Sequence, residues 1–332
     1  MSVPRWFKDR ICQYLGVPYI GDVFCVIATR DDNYYKGLTK MGVSGGSIYT
    51  DFQTAENVMT TDSGDVMVLF PGQHTVTSST TWDKDVTYII GAGPRYQAYQ
   101  PSTLTNGGTR LTCTTAAVSE IINITGHYVT VKGIGTQNTV SSTTSYCDIR
   151  VSGKNTVLSE VSLRGGTGAN QIANVGVGVP LIVDTSVAGA GNALLVENSI
   201  IGSSGNTTRT KGPSCVYFPG GAAAGFGMRF KGTTFSSICA VATADSVGSI
   251  YLAANYAVDR ELLFTDCDFY NFTTNLGTNP TYVFRDSCGT THQIVLRDCS
   301  YNKGFTSWSD AATYVSVSTP VSSLTGGLGL NA

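Results

Sequence analysis

Charge is what this chain has least of: Asp, Glu, Lys and Arg make up 13% of its residues, about half the usual share. With a net charge of −2 and an isoelectric point near 5.9, it offers no basic surface for nucleic acid or an anionic membrane. Long apolar runs are also missing. The longest, such as "VMVLF" and "VTYII", fall far short of the roughly 20 residues that cross a bilayer. The opening "MSVPRWFKDRICQYLG" carries Arg5, Lys8, Asp9 and Arg10 where a secretory signal has an apolar run, so synthesis in a cytoplasm is expected.

Metal and cofactor signatures are absent too. The histidines, His74, His127 and His292, are too scattered to read as a catalytic triad. Nine cysteines, Cys12, Cys25, Cys113, Cys147, Cys215, Cys239, Cys267, Cys288 and Cys299, show no CxxC spacing, which argues against a zinc module and a disulfide framework. Most are expected to act as small buried apolar residues. Cys12 and Cys25 lie in a segment that reads as peripheral and are the candidates for a cross-link formed in an oxidising medium. The Gly-rich "RGGTGANQIANVGVGVP" and "PGGAAAGFG" lack the context of a phosphate loop. No cofactor and no metal are expected.

What is abundant is turn chemistry: 38 glycines, with many serines and threonines, describe a β-rich chain. Residues 4–15 read as a short amphipathic helix with Phe7, Ile11, Tyr14 and Leu15 on one face and Gly16 at its end. A strand is expected over Val23–Ala28, followed by a polar turn. Asp51 reads as the N-cap of a second short helix carrying Phe52, Ala55, Val58 and Met59.

From residue 64 the helical period gives way to a recurrent hexad: apolar, any, turn-type or acidic, small or β-branched, any, apolar. It reads "LSEVSL" at 158–163, "VENSII" at 196–201, "FKGTTF" at 230–235, "FTDCDF" at 264–269 and "LRDCSY" at 296–301, with a degenerate "VKGIGT" at 131–136. Its leading residues, Val131, Leu158, Val196, Phe230, Phe264 and Leu296, are spaced at intervals of 27, 38, 34, 34 and 32. A fixed core element at variable spacing is what a solenoid produces when loops are inserted on one side.

On the segment "GDVMVLFPGQHTVTSSTTWDKDVTYIIGAG" and the later "LLFTDCDF" and "IVLRDCSY", the chain resembles the right-handed parallel β-helix, or pectin-lyase-like, family. The resemblance implies an all-β parallel solenoid with short N-terminal capping helices. It divides the chain into an arm (1–50), a β-helix (51–305) and an extended tail (306–332).

In this frame Asp266 and Asp298 occupy the turn position also held by Glu160, Asn198, Gly232 and Gly133, where turn-tolerant residues are favoured. Adjacent coils set them about 5 Å apart, near the carboxylate spacing of a retaining glycosidase. They are therefore the catalytic candidates if the chain is an enzyme, a polysaccharide lyase or glycoside hydrolase, and turn residues otherwise. The next column outward, Lys132, Ser159, Glu197, Lys231, Thr265 and Arg297, lacks the clustered acids a calcium-dependent lyase needs.

The chain is similar in kind to phage decoration, spike and fibre proteins. That likeness implies a capsid decoration or cementing protein residing in the virion, a homotrimer bound to the major capsid protein or other virion proteins and open to a glycan, with a tailspike-like glycan-binding or depolymerising enzyme as the alternative. The expected contact residues are Trp6, Phe7, Ile11 and Tyr14 in the arm and Tyr314, Val315, Val317, Leu328 and Leu330 in the tail. The tail is expected to lie on a neighbouring subunit.

Overall fold

The computed structural model describes residues 3–28, 33–93, 108–166, 176–184, 193–202, 213–220, 224–225, 227–238, 248–253, 257–258, 261–272, 282–286, 293–302, 304–309, 315–317, 323–324 and 328–329. Its strands form three stacked parallel sheets, of eleven, eight and eight strands. A full coil contributes one strand to each sheet, and the first sheet gains further strands at its two ends. The coil holding Glu261–Thr265, Asp268–Asn271 and Tyr282–Asp286 is typical.

The hexad is the corner between the first and second sheets. Its leading column is continuous in register, Val131 against Leu158, Leu158 against Val196, then Phe230, Phe264 and Leu296. All six side chains are fully buried. Phe230 stacks on Phe264 with ring centroids 4.8 Å apart, and Phe235 stacks on Phe269 at 4.6 Å. One unit cannot bury such a row alone; each ring is desolvated by the coil above and the coil below.

At the turn itself Glu160, Asn198, Asp266, Asp298, Gly133 and Gly232 all have positive φ, between 49° and 70°. This left-handed conformation turns each backbone N–H along the solenoid axis. Gly133, Glu160, Asn198, Gly232 and Asp266 donate to the carbonyls of Ser159, Glu197, Lys231, Thr265 and Arg297 on the next coil, at 2.9–3.1 Å. Below the turn, Ser199, Thr233, Cys267 and Cys299 stack as a buried column, and each hydroxyl or thiol donates to the carbonyl two residues before it.

Three helices precede the coils. α1 (Arg5–Leu15) ends at Gly16, which is left-handed at φ 72°. α2 (Asn33–Lys40) occupies the stretch expected to be a polar turn, with Leu38 buried. α3 (Phe52–Glu56) has Asp51 as its N-cap, accepting from Thr54 N at 2.7 Å. Both flanking helices were expected to cap the solenoid, and only α3 does so. Phe52, Ala55 and Met59 join the interior core, with Phe52 against Trp82 at 5.8 Å. α1 instead lies across the outer face of the first sheet, where Ile11 joins a separate apolar cluster with Val23, Cys25, Val66 and Ile90.

The strands Val23–Val26 and Ile48–Tyr49, within the expected arm, are hydrogen-bonded members of the first sheet. At the other end, Val315–Val317 adds to Gln293–Arg297 of the same chain. This corrects the expectation that this part of the tail lies on a neighbouring subunit: the last coil leaves an unpaired strand edge that the chain itself covers. Ser323–Leu324 and Leu328–Gly329 pair as a short antiparallel ribbon. Tyr314 and Leu330 lie outside the described residues.

Candidate functional site

Asp266 and Asp298 stand on consecutive coils, as the flanking pairs Thr265–Arg297 and Asp268–Ser300 require. Their backbone conformation accounts for their identity, because only Gly, Asn and Asp adopt the left-handed region readily. The column beside them is confirmed in register from Lys132 through Ser159, Glu197, Lys231 and Thr265 to Arg297. Lys132 pairs with Glu160 at 3.5 Å and sits 4.3 Å above the ring of Tyr14, so α1 and the first sheet share that cation.

The arm residues divide by face. Ile11 is buried and Phe7 packs against the cluster that the arm shares with the first sheet, whereas Trp6 and Tyr14 are exposed. Cys25 corrects an expectation. It points into the apolar cluster beneath α1, fully buried, and burial pushes its thiol up to about 12, so it is no accessible cross-linking thiol. Cys12 is partly exposed. His292 lies outside the described residues. His127 sits in a turn, its Nδ1 accepting from Lys154 N, and His74 bonds Phe70 O through Nε2 at 2.8 Å.

A polar row missed from sequence runs over the outer face of the third sheet. Register aligns Asn123, Arg150, Ile182, Tyr217, Tyr251 and Arg285 on successive coils. Arg150 Nη1 donates to Asp184 Oδ2 at 2.8 Å, and its Nε lies 3.1 Å from Glu120 Oε1 without the alignment of a hydrogen bond. Burial works against its charge, but Cys147, Glu120 and Asp184 outweigh it and hold the guanidinium pKa above its ordinary value. Tyr217 and Tyr251 stack at 5.6 Å, and burial, then Tyr251 and Asp184, raise the Tyr217 phenol.

The alternation in "CDIRV", "VYF" and "SIYL" signals outward positions for Arg150, Tyr217 and Tyr251. What aligns them is the length of the intervening loops, which carries no pattern. Among the described residues no group of three or more His, Cys, Asp or Glu side chains is placed to hold a metal, and no helix is long and apolar enough to cross a membrane.

Three stacked parallel sheets with an inward ladder of apolar residues define the class: a right-handed parallel β-helix, an all-β solenoid. Among solved structures the chain is similar to pectin methylesterase PemA from Erwinia chrysanthemi, with a TM-score of 0.52 and 12% identity over 88% of this chain and 82% of that one. A pectin methylesterase mutant in complex with a hexasaccharide gives a TM-score of 0.51 and 12% identity over 86% of this chain and 80% of that one. ORF18 of Geobacillus virus E2 gives 0.43 and 14%, over 80% of this chain and 55% of that one. Identities this low establish the fold and leave the activity open. No protein-family model matches the chain, and no curated protein matches its sequence.

Proposed function

We propose that this chain is a structural protein of a tailed-phage virion, a decoration or cementing protein that binds shell subunits through its N-terminal arm. The observation that supports this reading is where the exposed apolar side chains fall. Of the eight large ones exposed among the described residues, Trp6, Tyr14, Tyr19, Tyr34 and Met41 belong to the arm. Exposed apolar and aromatic groups concentrated on the arm are the composition of a protein-docking surface. In this reading the major capsid protein is the partner, and a homotrimer presents three arms to a junction between shell subunits.

The test is quantitative mass spectrometry of purified particles. Wild type is expected at a copy number comparable with that of the major capsid protein. The Trp6→Ala, Tyr19→Ala double variant is expected to fold with an unchanged melting curve and to be lost from particles. Absence of the wild-type chain from particles overturns the reading.

A second reading, a glycan-binding or depolymerising β-helix, is favoured by the stacked Tyr217 and Tyr251 between Arg150 and Arg285 on the third sheet. It predicts retention on host polysaccharide that Tyr217→Ala abolishes.

A further inference from the structure

The buried column beneath the left-handed turn ends in two cysteines on consecutive coils. Thr265 stands against Arg297 and Asp268 against Ser300, so Cys267 and Cys299, which lie between, are in register. Hydrogen bonds brace the pair on both sides: Asp266 N donates to Arg297 O at 2.9 Å, and Ser300 N donates to Cys267 O at 3.0 Å. The residues before them, Asp266 and Asp298, share a φ of 52°, so the two backbones turn alike and both thiols enter the interior core. Both are free thiols.

Neighbouring strands set the two α-carbons about 4.8 Å apart, inside the roughly 4.4–6.8 Å that a disulfide spans without backbone movement. Cysteines on other strands face different residues: Cys25 lies between Ile48 and Val68, Cys113 between Val76 and Asn138, and Cys147 between Glu120 and Val179. A small buried side chain would satisfy the packing at the Cys267 and Cys299 positions, as Ser199 and Thr233 do in the same column. Two sulfurs in contact add chemistry. The hydrogen bond between them lowers the Cys299 pKa, against its burial, and raises that of Cys267, which burial raises further. The thiolate is the reactive form, so Cys299 is the nucleophile of the two.

Cys299 also stands where the fold opens most easily. Its coil comprises Gln293–Arg297, Ser300–Tyr301 and Ser307–Ser309, and the last two are the terminal strands of the second and third sheets. A terminal coil has a neighbour on one side only and opens locally at lower cost than the coils within. An oxidant as small as hydrogen peroxide needs no more than that to reach the sulfur.

We infer that Cys267 and Cys299 are a site of reversible oxidation, closing with a peroxide into a disulfide that clasps the last coil to the one before it. The Cys299 thiolate attacks a peroxide oxygen: an S–O bond forms, the O–O bond breaks, and the departing hydroxide takes up a proton to become water. The Cys267 sulfur then attacks the sulfenic acid. An S–S bond forms, the S–O bond breaks, and the second hydroxide leaves with the Cys267 proton as water. Two thiols give up two electrons and two protons, and one hydrogen peroxide becomes two waters. The pair stays as thiols in a reducing cell and closes in an oxidising medium.

The full chain, purified under reduction, is treated with hydrogen peroxide, alkylated, and digested with trypsin without reduction. Tandem mass spectrometry is expected to find the peptide 261–285 joined to 298–303, lighter by two hydrogens than their sum, and separated again by dithiothreitol. The two cysteines are 32 residues apart, so the link restricts the unfolded chain, and oxidation is expected to raise the melting temperature by about 4 °C.

Cys299→Ser puts at this position the residue that Ser199 already provides in the column, and is expected to fold, to yield no linked peptide and to melt at the same temperature with and without peroxide. Should that variant fail to fold, Cys267→Ser is expected to give the same result. Absence of the linked peptide from the wild type, a link from either cysteine to a different one, an unmoved wild-type melting temperature, or an equal rise in the folded serine variant overturns the proposal.

Discussion

Asp148 shows at the scale of one residue how a solenoid interior constrains chemistry. Its carboxyl is wholly enclosed at the corner of the second and third sheets, with Oδ2 accepting from Thr136 Oγ1 and Gly165 N and Oδ1 buried without a partner. Burial pushes its pKa from 3.8 up to about 6, against the opposing hydrogen bonds from Thr136 and Gly165 and the charge of Arg164. The folded chain therefore holds this proton at a higher pH than the unfolded chain. The stability linked to it is full below about 3.8 and is lost as the pH rises through about 6. Asp148→Asn is expected to raise the melting temperature at pH 8 and to leave little difference from wild type at pH 4.5. Thermal melts across that range check the sign. At the turn, Asp266→Gly is expected to be near neutral, since Gly232 already serves there. Asp266→Ala is expected to cost about 1–2 kcal/mol, because its β-carbon strains a left-handed residue; denaturant titration measures both.

At the scale of elements, each end of the coil poses the same problem: an apolar cross-section and unpaired strand edges need a cover. α3 solves it at the N-terminal end. Its N-cap was legible because Asp51 precedes an apolar period, and Asp51 does bond Thr54 N. Phe52→Ala removes the ring that packs on Trp82 and is expected to destabilise the chain by about 3–5 kcal/mol, read from equilibrium unfolding. α1 was legible as a helix but not as a flank. Its apolar face fits an end cap and a sheet surface equally well, and only the outward Val23, Cys25, Val66 and Ile90 decide which surface it meets. α2 was missed because "DDNYYKG" carries the polar and glycine signals of a turn. Leu38, its buried residue, anchors it to the cluster that α1 closes.

Taken whole, the molecule is a rod in which every coil is stabilised by its neighbours, so the terminal strands weigh more than their few contacts suggest. Deleting residues 313–332 removes the last strand of the first sheet and is expected to lower the melting temperature of the chain. Light scattering on the same variant reads its effect on self-association separately. A melting temperature equal to that of the full chain would show that the pairing of Val315–Val317 adds no stability.

The sequence alone determined the coil. A hexad whose third residue must turn left-handed and whose ends must be apolar specifies one corner, and repetition of that corner specifies a solenoid, because both requirements are local and period-bound. It also specified the stacked columns from Val131 to Leu296 and from Ser199 to Cys299 within each repeat. Tertiary structure decided what depends on alignment between coils. The loop lengths between strands set which outward residues meet, and so brought Arg150 between Glu120 and Asp184, set Tyr217 on Tyr251, and buried Arg110 between two glutamines. Those neighbours lie some 30 residues apart in the chain, the length of one coil, and no short-range pattern records a distance of that kind.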